Sequence, residues 1–138
     1  MNKALCYTVG SYTSLTDHYG YTGIIVFQNK KYIVKGSMNN GLFIKMQSVG
    51  GEIHGVMETI KKCHELKVNE IDLYSYSSII KDLLDGTKLP KKPGSIKFLD
   101  YIQSIQDEIK INFIKASKKD DIYEMEEARL ICRNLLGI

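Results

Sequence analysis

The chain has no long apolar run. Its apolar stretches, such as Gly23 to Phe27, fall far short of the ~20 residues that cross a bilayer, and the N-terminus lacks the apolar core of a secretory leader. No membrane partner is expected, and the protein is expected to be soluble and cytoplasmic. Cysteine is scarce: Cys6, Cys63 and Cys132 are odd in number, widely spaced and set among apolar residues, with no CxxC pair. That spacing argues against zinc, a redox couple or a disulfide framework, and for reduced residues in the core. The two prolines both fall in "TKLPKKPGS", so they punctuate one loop. The three histidines, His18, His54 and His64, lack HExxH spacing, and no GxxxxGK or GxGxxG cradle for phosphates is present. No internal repeat or low-complexity tract occurs. A net charge of +3 permits a phosphate-contacting face without demanding one, and implies no strongly acidic partner.

What is present is a readable change of hydrophobic period. At 138 residues and 43% hydrophobic, the chain is sized for one domain, 1–138, with a real core. Leu5, Tyr7 and Val9 alternate with Ala4, Cys6 and Thr8 in a strand ending at Gly10 and Ser11; "YTGIIVFQ" and "KYIVKGS" follow, separated by a turn over 28–31. This is a three-stranded meander. From "GGEI" the period turns helical, with Ile53, Val56, Met57, Ile60 and Cys63 on one stripe that ends near Leu66. "EIDLYS" reads as a fourth strand, and Ile79, Ile80, Leu83 and Leu84 as a helix stopped by Gly86. Ser95 is placed to cap a third helix that buries Phe98, Leu99, Ile102 and Ile105. "KINFIKAS" is a fifth strand, and a last helix runs from about Asp121 to Leu136 before Gly137. The order βββαβααβα predicts a mixed α/β fold: a five-stranded sheet, three strands antiparallel and then two parallel, flanked by helices.

The segments "GSY", "YGYTGIIV", "NNGLFIKM" with "VGGEI", "EIDLYSYSSI", "KPGS", "FIK" and "LLGI" span the chain. In these it resembles the ribonuclease H type 1 domain, specifically the bacterial branch often found behind a viroplasmin-like module, and is expected to be the bare domain. The resemblance implies the ribonuclease H-like fold, an RNA–DNA hybrid as substrate, and two Mg²⁺ ions held by four carboxylates near a mobile histidine. Glu52 matches the glutamate of that set. The aspartate positions carry Val9, Tyr76 and Arg129, and the histidine position carries Lys119. The site's formal charge thus moves from about −4 to about 0, so no metal cofactor is expected. Glu52 and Arg129 are expected to pair across the vacated site, with the Tyr76 hydroxyl as a third group. Asp72 shares a strand face with Tyr76 but lies about 13 Å away along the strand, and Glu126, one turn before Arg129, is the acid best placed to lean in.

Family contacts to the RNA strand map onto Gly10, Ser11, Asn39, Asn40 and Gly41, with Ser48 where an asparagine is expected. Lys118 and Lys119 near the last turn, and Lys88, Lys91 and Lys92 in the proline loop, are candidate phosphate contacts and equally ordinary solubility residues. Tyr12, Tyr19 and Tyr21 cluster near the first hairpin, chiefly as core residues. Three readings follow. The first is a protein that binds nucleic acid, hybrid or duplex, without metal-dependent cleavage. The second is a scaffold for a protein partner on the former active face. The third is a weak hybrid-cleaving endoribonuclease. They are placed in that order.

Overall fold

The computed structural model describes residues 2–138. Its strands are β1 (Lys3–Thr13), β2 (His18–Phe27), β3 (Lys30–Met38), β4 (Glu70–Ser75) and β5 (Lys110–Lys115). Its helices are α1 (Ser48–Glu65), α2 (Ser78–Asp85), α3 (Pro93–Ile105) and α4 (Tyr123–Leu136), with short 3₁₀ turns at Ile44–Met46 and Lys118–Asp120. The sheet order is β3-β2-β1-β4-β5. β1 pairs antiparallel with β2 and parallel with β4, so the central strand is where the meander meets the parallel half. Element order and sheet type agree with the sequence expectation.

Alternation fixes which face each strand buries. In β4 the residues Ile71, Leu73 and Ser75 are buried and those between them are not. One face packs under α1 and α3 in a core with Ile53, Val56, Ile60, Phe98 and Leu73 fully excluded from water. Each such side chain contributes roughly 1.5–3 kcal/mol through burial. The opposite face packs under α4, where Met125, Ala128 and Cys132 recur at helical spacing over Tyr7, Val9 and Ile24. All three cysteines are buried and free, and Cys6 and Cys63 face each other with sulfurs 3.5 Å apart. Tyr19 and Tyr21 are buried beside His54, whose Nδ1 lies 2.7 Å from the Tyr19 hydroxyl, while the Tyr12 hydroxyl donates to Asp17 at 2.7 Å.

Several boundaries differ from expectation, each for a local reason. β1 does not end at Gly10 and Ser11 but pairs with β2 through Thr13, and β2 opens at His18. The hairpin turn contracts to Gln28 and Asn29, both left-handed, because Phe27 and Lys30 still pair. α1 starts at Ser48, two residues before "GGEI", with Gln47 at a positive φ of 56° at its cap and the 3₁₀ turn leading directly into it. Its early glycines serve close approach: a Cβ on Gly51 would come within 2.6 Å of the Gly20 carbonyl. Ser95 is not a cap. α3 opens with Pro93 in its first turn after Lys92, a position where a missing N–H costs nothing, and the buried Ser95 hydroxyl points to the Met46 sulfur at 3.8 Å. α4 begins at Tyr123, since Ser117 and Asp120 close a capping box around the 3₁₀ turn and Asp121 is left-handed.

Candidate functional site

The parallel register of β1 with β4 builds the site. Thr8 lies opposite Ser75, so the next residues along the two strands, Val9 and Tyr76, emerge side by side at the strands' C-terminal ends. α1 crosses this edge in contact with Gly10. A Cβ there would meet the Glu52 backbone nitrogen and lie 2.6 Å from both the Glu52 Cγ and the Ser48 carbonyl. Glycine is therefore what lets α1 bring Glu52 down to the strand ends. From the other side α4 contributes Arg129 and, one turn on, Arg133. Together with Ser11 and Lys118 these residues line one open cleft of about 230 Å³.

Glu52 is the one carboxylate of the cleft lining. Burial pushes its carboxyl up from 4.5 to about 7, opposed by a hydrogen bond that the Ser75 hydroxyl donates to Oε2 at 3.1 Å and by the charge of Lys115. The Ser75 hydroxyl in turn accepts from the Ser77 backbone N–H at 3.1 Å, which holds its proton toward Glu52. Because the folded value lies above the ordinary one, the folded protein binds the proton more tightly. The contribution is fully present below pH 4.5 and is lost as pH rises through 7, on the order of 3 kcal/mol in all. Denaturant unfolding of the wild type should therefore show stability falling between these two values. Glu52→Gln should flatten that profile, and a flat wild-type profile would contradict the burial of an ionisable group.

The expected Glu52–Arg129 ion pair is not formed. Arg129 instead makes a two-pronged bond to Glu126, Nε to Oε2 at 3.0 Å and Nη2 to Oε1 at 2.6 Å. Glu126 lies three residues back on the same helix and stays exposed, so this pairing requires no desolvation, whereas Glu52 sits half-protonated in the cleft floor. The expected third group, the Tyr76 phenol, lines the cleft beside them, and its ring packs into the apolar cluster under α4 with Val9. Asp72 is engaged elsewhere, with Lys3 at 2.9 Å and Asn112 at 3.0 Å.

Of the residues singled out from sequence, Val9, Gly10, Ser11, Glu52, Tyr76, Lys118 and Arg129 converge on the cleft. Asn39, Asn40, Ser48 and Lys119 do not line it. The Asn40 side chain accepts from Leu42 N–H at 2.9 Å and its carbonyl accepts from Phe43 and Ile44, so it shapes the turn into α1. Ser48 is the exposed first residue of α1. The Lys119 backbone N–H bonds to Ser117 within the 3₁₀ turn, and its neighbour Lys118 reaches the cleft in its place. Arg133 was missed, although its spacing of four from Arg129 was the available signal. Among the described residues no group of three or more His, Cys, Asp or Glu side chains is gathered to hold a metal ion.

A central strand flanked antiparallel on one side and parallel on the other, with a helix-borne glutamate over its end, defines the ribonuclease H fold. Solved structures agree. The chain is similar to the N-terminal RNase H domain of rv2228c from Mycobacterium tuberculosis, with a TM-score of 0.70 at 13% identity over 95% of this chain and 99% of that one. RNase H1 of the halophilic archaeon Halobacterium salinarum gives 0.71 at 10% identity over 98% of both chains. LC11-RNase H1, solved in complex with an RNA/DNA hybrid, gives 0.67 at 13% identity over 91% of this chain and 92% of that one. No family model and no curated protein matches the sequence.

Proposed function

We propose that this protein binds nucleic acid, with an RNA–DNA hybrid as the first candidate, through a cleft whose charge is inverted relative to a metal-dependent nuclease. It is, on this reading, a catalytically degenerate relative of the type 1 enzymes and acts without a divalent cofactor. The observation that carries the reading is the composition of one cleft: a single carboxylate, about half-protonated near neutral pH, against Lys118, Arg129 and Arg133.

Two Mg²⁺ ions do not fit this donor set. Mg²⁺ gives up water only to several anionic oxygens, and two-metal chemistry needs ligands shared between ions about 3.5–4 Å apart. A guanidinium about 4 Å from a divalent ion opposes it by several kcal/mol even at an effective dielectric of about 20. The same cations attract a phosphodiester directly. Glu52 adds little repulsion while it is protonated, so affinity should tighten as pH falls from 8 toward 6. Family likeness in fold to a protein solved with a hybrid supports the choice of ligand.

Titration of labelled hybrid, DNA duplex and single strand at two salt concentrations tests the reading. Saturable binding that weakens as salt rises, with a slope matching about three phosphate contacts, is expected. No binding to any of the three would move the assignment to a protein-docking scaffold.

A further inference from the structure

β5 ends the sheet, with β4 on one side and no strand on the other. Two bonds show which of its main-chain groups are used: the Lys110 N–H donates to the Asn69 carbonyl and the Ala116 N–H to the Ser75 carbonyl. The even-numbered residues of this strand therefore bond to β4, and by alternation Ile111, Phe113 and Lys115 turn their N–H and C=O groups outward. Among the described residues no backbone group bonds to them. Beside this edge lies an apolar depression of about 310 Å³, lined by Leu84 at the end of α2, Ile102 of α3, and Ile111 and Phe113 of the strand itself. Edge strands are usually blunted by a proline, a bulge or charges along their length. Here the middle of the strand, Ile111 to Ile114, is uncharged, and lysines stand only at its two ends.

Charge indicates what the edge accepts. The turn entering β5 carries Asp107 and Glu108, and the segment leaving it carries Lys115, Lys118 and Lys119, all exposed. Glu108 also reaches His64 Nε2 at 3.2 Å, and Asp120 is turned back onto the Ser117 N–H at 2.8 Å. Two acids stand against one lysine over 107–110, and three lysines against two aspartates over 115–121, so the two ends differ in sign. A second copy laid antiparallel on the edge brings the acidic end of each against the basic end of the other. The opposite edge of the sheet, β3, carries Lys30, Lys31 and Lys35 and no acid, so a copy laid there would set lysine against lysine.

We propose that this protein self-associates through β5, two copies pairing antiparallel about a two-fold axis normal to the sheet. Centred on Phe113, the pairing sets Phe113 against its own counterpart and Ile111 against Lys115, and it uses every open N–H and C=O of the three residues. The Phe113 ring of each copy then covers the open side of the other's depression. A strand of another protein could meet the same main-chain groups, but a copy of this chain supplies opposite charge at both ends by symmetry. The inference stands apart from the cleft and does not rest on its function.

Sedimentation velocity of the full chain, from about 5 to about 500 μM, is the test, and a concentration-dependent equilibrium between monomer and dimer is expected. Lys115→Pro removes one outward N–H without touching a bond to β4, so it should weaken the dimer at least about tenfold. Asp107→Lys/Glu108→Lys and Lys118→Glu/Lys119→Glu should each weaken it by a similar factor. Mixed in equal amounts, these two charge variants should form a dimer near wild-type affinity, because each then meets opposite charge at both ends. That reading uses exposed side chains alone and stands even if the proline variant fails to fold. The proposal is overturned if the wild type stays monomeric throughout, if Lys115→Pro with an unchanged circular dichroism melt dimerises as well as wild type, or if mixing the charge variants gains nothing.

Discussion

Reversing the cleft cations together, as Lys118→Glu/Arg129→Glu/Arg133→Glu, is expected to lower hybrid affinity at least about a hundredfold near physiological salt and to flatten its salt dependence. Each of these residues lies on the cleft wall, on the 3₁₀ turn after β5 or on α4, and none belongs to either buried core. The fold should therefore survive, which a circular dichroism melt checks. Single neutral changes separate the contributions. Arg129→Gln frees Glu126, whose carboxylate then faces the ligand unpaired, so it should cost more than Arg133→Gln. Equal affinity for the wild type and the triple variant would remove the cleft from the binding surface.

Val9→Asp has the second largest expected effect, and it falls on stability. Val9 is 5% exposed and belongs to the apolar cluster of Tyr7, Ile24, Met125 and Ala128 beneath α4. A carboxylate at this position loses that packing and sits near Glu52, whose own carboxyl burial has already pushed up to about 7. The cost is about 2–4 kcal/mol, a drop in Tm of roughly 10 °C for a chain of this length. The loss should be greater at pH 8 than at pH 5, because the protonated acid is easier to bury. Val9→Asn, similar in shape and uncharged, should cost less and show no such pH dependence. A Tm unchanged in Val9→Asp would mean that the position is open to water. An acid placed at position 9 thus risks unfolding the site before it can be tested, because Val9 is part of the core.

How much of this was legible beforehand depends on the length scale of each feature. Strand and helix order followed from period alone, since Ile71, Leu73 and Ser75 alternate and Met125, Ala128 and Cys132 step by three and four. The convergence of Val9, Glu52, Tyr76 and Arg129 followed from the resemblance and was met by the register of β1 with β4. Three things were not legible. The start of α1 two residues before "GGEI" was hidden because Ser48 follows almost directly on the 3₁₀ turn over Ile44–Met46, with no side-chain cap to mark it. The partner of Arg129 turned on a choice between an exposed neighbour on its own helix and a carboxyl raised by burial, which no pattern of residues reports. The open main-chain groups of β5 follow from its place at the end of the sheet, which only the folded chain fixes.

Nucleic acid held by the chain's own cations needs no divalent ion, and hybrid affinity in excess EDTA against affinity in Mg²⁺ at matched ionic strength measures this most directly. The account predicts equal or tighter binding in EDTA, with the RNA strand intact after prolonged incubation in either buffer. Affinity that rises on adding Mg²⁺ or Mn²⁺, or cleavage of the RNA strand that depends on Glu52, would contradict it.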